Sequence, residues 1–296
     1  MNTNAPQANN DAKAQFEAVF AREGFTSRAA GLFRDLVYGY YRNHRRDFPW
    51  RTTDNPYNIL VSEFMLQQTQ TDRVVPKYER FIAALPDFFA LAEAPLRDVL
   101  ALWQGLGYNR RAIALKKTGQ MVVDEHGGRL PDDVITLKTF PGIGITTASE
   151  IAAFAFHRPV VFIETNIRRV FLHFFFRDRE GIKDKDILPL VEKALDRSDP
   201  RNWYYALMDY GVMLKGAVIN PNRRSAHYTR QSRFEGSDRQ IRGAILRLLL
   251  TGDGVPEAEA LSRFDAEETR VKRILGQLKK EGFVRTVNGK LVIGEG

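Results

Sequence analysis

The stretch Leu137–Phe156, "LKTFPGIGITTASEIAAFAF", decides how this chain is read. Pro141 fixes φ just before Gly142 and Gly144, two residues that enter tight backbone conformations at low steric cost. Apolar residues recur at helical spacing on both sides, so the sequence predicts two helices joined by a tight hairpin. Such a bend turns backbone N–H groups outward where the second helix starts, at Thr146 and Thr147. The helix dipole is positive there, and one phosphate suits that geometry. An ordinary helix–turn–helix corner would use Pro and Gly equally well.

Outward from the hairpin, residues 13 to 215 keep apolar positions three and four apart, as in "LFRDLVYGYYRNH" and "ILPLVEKALDR", with almost no strand-like alternation. The expectation is an all-α body over 15–216, preceded by a disordered tail over 1–14. A polar, Arg-rich linker over 217–237 ("INPNRRSAHYTRQSRFEG") follows. Residues 238–296 then read as three helices and two short strands around Asn288-Gly289, a favoured hairpin turn. That order is the outline of a small winged helix, a module that serves either DNA contact or protein docking; small helical domains of other kinds share the outline.

The 296 residues are 44% hydrophobic and carry 44 Lys and Arg against 36 Asp and Glu, a formal net charge of +8. A basic balance of this size suits a polyanionic partner such as nucleic acid, although some soluble proteins are simply basic. There is no cysteine, which excludes disulfides, thiolate zinc sites and thiolate-bound iron–sulfur clusters, and no metal site is expected. No stretch is long and apolar enough for a membrane-spanning helix, and the N-terminus lacks the marks of a signal peptide. A cytoplasmic, nucleoid-associated monomer is expected.

Two carboxylates stand out. Glu63 lies inside "PYNILVSEFMLQQTQ" (Pro56–Gln70), where Ile59 and Leu66 share its helical face. Burial there would favour the protonated form, unless an arginine inside the bundle pairs with it. Glu164 ends the apolar run of "VVFIETNIRRVFLHFF" (Val160–Phe175) at the predicted start of a helix. An acid at that position accepts backbone N–H bonds and is expected to stay ionised; a plain helix cap is the commoner use. One acid kept protonated beside another kept ionised is the arrangement that cleaves glycosidic bonds.

These motifs together resemble the endonuclease III superfamily of base-excision DNA glycosylases. "FPWR", "SEFMLQQTQ", "LWQGLGYNRRAIAL" and "HGGRLPDDV" look most like the adenine DNA glycosylases (MutY) over roughly Phe48–Leu214. The resemblance implies an all-α, two-lobed helix-hairpin-helix glycosylase fold that binds double-stranded DNA carrying a mismatched or damaged base. The target base would be flipped into a pocket. It further implies that Glu63 protonates the leaving purine, Glu164 stabilises the sugar cation in place of the family's Asp, and Asn166 supports that carboxylate. Gln67 and Tyr108 would probe the base stack, with Gln68 alongside at the DNA, and Pro141, Gly142, Gly144, Thr146 and Thr147 would meet the DNA backbone. Thr146 stands where bifunctional members carry a catalytic lysine, so a monofunctional enzyme is expected. The family's four-cysteine cluster loop would begin at Lys215 but is replaced by the Arg-rich segment, so no cofactor is expected. The expected activity is release of adenine from a mispair with guanine or 8-oxoguanine. Excision of another base, or DNA binding without catalysis, are the alternatives.

Overall fold

The computed structural model of the protein describes residues 5–229, 233–264 and 268–295. The helices run α1 (Ala5–Glu23), α2 (Ser27–His44), α3 (Pro56–Leu66), α4 (Thr71–Ala84), α5 (Phe88–Glu93), α6 (Leu96–Trp103) and α7 (Arg110–His126). They continue as α8 (Val134–Leu137), α9 (Ile145–Phe156), α10 (Thr165–Phe175), α11 (Asp184–Ala194) and α12 (Pro200–Ala217). The C-terminal region adds α13 (Asp238–Leu250), α14 (Glu257–Ser262) and α15 (Glu268–Lys280), with strands β1 (Val255–Pro256), β2 (Val284–Val287) and β3 (Lys290–Ile293). The helical body predicted from periodicity is thus present.

Chain contacts separate two compact units. The first holds the described residues of Met1–Asp54, Asp132–Val134 and Gly144–Arg230; the second holds those of Asn55–Pro131, Ile135–Ile143 and Gln231–Gly296. This division differs from the four successive segments that the sequence suggested. Chain order lists segments as they are synthesised, whereas packing groups them by the apolar faces they share. The C-terminal region is therefore compact with α3–α7 rather than separate from them.

In the first unit an aromatic core centres on Phe33, whose ring lies 5.3 Å from Phe16, 5.6 Å from Phe171 and 6.1 Å from Trp203. Aromatic pairs at such spacings add to the burial energy of each ring. Asp209 on α12, 2% exposed, accepts from Arg46 Nε at 2.7 Å and from Arg51 Nη1 at 2.8 Å. Burial would raise this carboxyl, but the hydrogen bonds and charges of Arg51 and Arg46 outweigh it and hold Asp209 below the usual range. The second unit packs Phe64, Phe81 and Trp103 without exposure. Its C-terminal part closes an antiparallel sheet in the order β1-β3-β2, with Val284 opposite Ile293 and Val287 opposite Lys290. Asn288 and Gly289 both take positive φ (+48° and +74°), as the two-residue turn requires.

Two expectations are corrected. The tail expected to be disordered over 1–14 is helical from Ala5, where α1 begins; residues 1–4 lie outside the described residues. The segment 217–237 is more than a linker. Pro221–Arg224 forms a 3-10 turn in which the Asn222 side chain donates to Thr165 O, and Arg224 donates to Leu172 O and Phe176 O. Ser225 bridges to Ile182, and Arg224 satisfies carbonyls at the C-terminal end of α10. Residues 230–232 of this segment lie outside the described residues.

Candidate active site

In the second unit, α3 starts at Pro56, capped by the Asn55 side chain, which accepts from Tyr57 N at 2.9 Å. Tyr57 and every residue from Ile59 to Met65 are buried, so the helix is enclosed on nearly all sides rather than along one face. Glu63 is among them, 7% exposed. Three carbonyls where α3 ends, and a fourth from the turn before α7, are gathered by one side chain the sequence did not single out. Arg111 Nη1 donates to Phe64 O at 2.8 Å, Met65 O at 2.9 Å and Gln67 O at 2.5 Å, and Nη2 to Gly107 O at 3.1 Å. Burial pulls the Arg111 guanidinium down to about 10, still charged at neutral pH. "YNRRAIAL" held this residue in plain view, but two adjacent arginines gave no sign of which one turns inward.

The hairpin turn is seated on the same helix. Gly142 has φ +76°, and a Cβ there would lie 2.8 Å from Ala114 Cβ and 2.9 Å from the Phe64 ring. Only glycine meets both demands. Gln67 Nε2 donates to Gly142 O at 3.2 Å, and Thr118 Oγ1 to Pro141 O at 3.2 Å. Gln68 and Tyr108 also take positive φ, +55° and +46°. Backbone strain of this kind concentrates at ligand-facing positions.

In the first unit, Gly144 precedes α9 and provides no side-chain cap; Thr146 is half-buried on the first turn. Thr147, the next residue, is buried at 8% exposure, so what it has to offer an anion is backbone rather than side chain. Glu164 caps α10. Its Oε1 accepts from Asn166 N at 2.6 Å and Ile167 N at 2.9 Å, and its Oε2 accepts from Asn166 Nδ2 at 3.3 Å. Asn166 Oδ1 in turn accepts from Arg169 Nη1 at 2.6 Å, which also donates to Gly211 O at 2.7 Å. At Gly211 a Cβ would lie 2.7 Å from Asn166 Cβ, so glycine lets α12 approach α10 closely enough to hold this network. Arg169, 4% exposed, is a second residue whose role was not legible, since "IRRV" gives two candidates and only the fold selects one.

Burial pushes the Glu164 carboxyl up, against the two backbone N–H bonds and the charges of Arg169 and Arg168. The cap expected at the start of α10 is present, and burial there outweighs the pull of the helix terminus on the carboxyl. The structure brings together Glu164, Asn166 and Arg169 in one unit, and Gln67, Pro141 and Gly142 in the other, with Glu63 and Tyr108 in that second unit. Among the described residues no cluster of side chains offers a metal site. Without a cysteine in the chain, a thiolate-bound cluster does not fit the segment after α12, whose own Asn220, Asn222 and Arg224 side chains tie it to α10.

A family model described as HhH-GPD superfamily base excision DNA repair protein matches residues 61–195, a span that includes both carboxylates and the hairpin. The adenine DNA glycosylase of Mycobacterium tuberculosis is 33% identical over 295 residues, covering 88% of this chain and 93% of that protein. Among solved structures, a thermostable thymine-DNA glycosylase aligns with a TM-score of 0.56 at 25% identity, over 62% of this chain and 86% of its own. A non-covalent endonuclease III–DNA complex aligns with a TM-score of 0.53 at 19% identity, over 62% and 85%, a likeness of fold.

Proposed function

Because the chain belongs to the HhH-GPD superfamily of base-excision DNA repair proteins and is a DNA N-glycosylase, we propose that the base it releases is adenine from a mispair with guanine or 8-oxoguanine. The observation that carries this reading is Glu63, a carboxyl 7% exposed inside the motif "SEFMLQQTQ". A buried carboxyl of this kind can hold a proton and deliver it to a purine leaving group. Glu164 then meets the positive charge that develops on the sugar, and the Asn166–Arg169 pair fixes its orientation. The reaction stops at an abasic site, because Thr146 offers no amine for a Schiff base. It proceeds without an iron–sulfur cluster. The C-terminal sheet and α13–α15 form a winged helix, and the partner is duplex DNA acted on by a monomer in the nucleoid.

A second reading changes only the base. Glu164 adds a methylene to the acid the family places there, enough to alter how the carboxylate meets the sugar. The test is a panel of duplexes carrying adenine opposite guanine or 8-oxoguanine, thymine or uracil opposite guanine, and alkylated purines. The released base is identified by chromatography, and strand breaks are scored with and without alkali. Free adenine and alkali-dependent breaks are expected. Release of thymine or uracil with adenine untouched would move the assignment to the second reading.

A further inference from the structure

The C-terminal region has the outline of a DNA-reading module, yet four basic side chains of α15 are paired within the region itself. On α15, Arg270 and Arg273 both pair with Asp238 of α13, Lys272 with Glu268, and Lys279 with Glu257. What the region does grip lies in its own unit. Arg239 Nη1 donates to the Tyr108 hydroxyl at 2.5 Å, and its guanidinium lies 5.3 Å from the Tyr108 ring. Arg111 lies 5.5 Å from the same ring. Close by in sequence, Arg110 and Arg242 converge on Glu281, just past the end of α15, with contacts of 2.5 Å each. From the other side, Arg97 on α6 donates to Leu250 O and Gly252 O at 2.9 and 3.0 Å, satisfying carbonyls at the end of α13.

We propose that the C-terminal module is an intramolecular brace, in which Arg239 holds Tyr108 and, through Arg111, the end of α3 that carries Glu63. The chain of contacts is continuous. Arg239 fixes the ring and hydroxyl of a tyrosine held at φ +46°. Arg111, on the same ring, ties Gly107 O to Phe64 O and Met65 O. Cation–ring contacts and charge-assisted hydrogen bonds are the strong members of their classes, and here they serve one loop. Arg239 is accordingly a positioning residue, acting through Tyr108 rather than on a reacting atom.

The test uses the full chain with Arg239→Ala, Arg239→Lys and Tyr108→Phe. In the free protein, hydrogen–deuterium exchange is followed at residues 107–111 and 64–67. The brace predicts exchange roughly tenfold faster in both segments for Arg239→Ala, with α1 and α2 unaffected. Unchanged exchange in residues 64–67 overturns the proposal, and this arm needs no activity. The second arm rests on the glycosylase reading proposed above. Single-turnover base release at saturating enzyme should slow roughly tenfold for Arg239→Ala, with DNA affinity within about threefold of wild type. Arg239→Lys should recover part of the rate, and Arg239→Ala combined with Tyr108→Phe should be no slower than the slower single variant. Additive losses, or weaker binding at an unchanged rate, would make Arg239 an independent DNA contact and overturn the brace. If the wild type released no base from any duplex, the proposed substrate would fail while the exchange result still decided the brace.

Discussion

At the scale of the residue, burial decides what a side chain does once the pattern has placed it. Glu164 was legible as a helix-start acid, and Asn166 as its neighbour, because capping is a local property. What the sequence could not supply was the desolvation that raises Glu164, since that depends on which segments cover it. A testable consequence follows for pH. If base release needs ionised Glu164, the rate should fall as pH drops through a value above the ordinary glutamate pKa of about 4.3. The sign for stability is the reverse. A carboxyl raised on folding leaves the native state holding more protons than the unfolded chain, so its contribution is lost as pH rises from the unfolded value through the folded one. Melting temperatures of wild type and Glu164→Gln between about pH 4 and 8 should therefore shift in favour of the variant as pH rises. A constant difference would show that Glu164 titrates normally.

At the scale of the element, the hairpin was the most readable part of the chain. Pro141, Gly142 and Gly144 punctuate two helices, and the structure gives Gly142 a positive φ and no room for a Cβ. Its seat was not readable, because the Phe64 ring and Ala114 come from α3 and α7, some 78 and 28 residues upstream by subtraction of their numbers from 142. Gly142→Ala should thus cost roughly 1–3 kcal/mol from combined strain and overpacking. It should also lower DNA affinity, because the Gln67–Gly142 contact moves with it. Chemical denaturation and a binding titration check the two effects together; an unchanged midpoint with unchanged affinity would show that the turn is tolerant. The Arg-rich segment after α12 teaches the opposite lesson. Its composition reads as a solvated linker, but Asn222 and Arg224 fold back onto α10, and no local period announces that.

At the scale of the whole molecule, the all-helical body was written in periodicity and the C-terminal hairpin in its Asn288-Gly289 turn. The grouping of segments into two units was not, because it arises from contacts between residues far apart in the chain. The net charge of +8 belongs to this scale as well. Phosphate contacts release counterions, so duplex affinity should fall roughly a hundredfold between about 50 and 200 mM salt, while the rate of base release at saturation stays nearly constant. Fluorescence anisotropy across that range checks it; salt-independent binding would remove the electrostatic footprint. The central claim, however, is that Glu63 supplies the proton. The measurement that tests it most directly is single-turnover adenine release from a duplex with adenine opposite 8-oxoguanine, comparing wild type with Glu63→Gln at saturating enzyme. General-acid catalysis predicts a rate at least roughly a hundredfold lower for the variant at similar DNA affinity. Equal rates in the two proteins would contradict it.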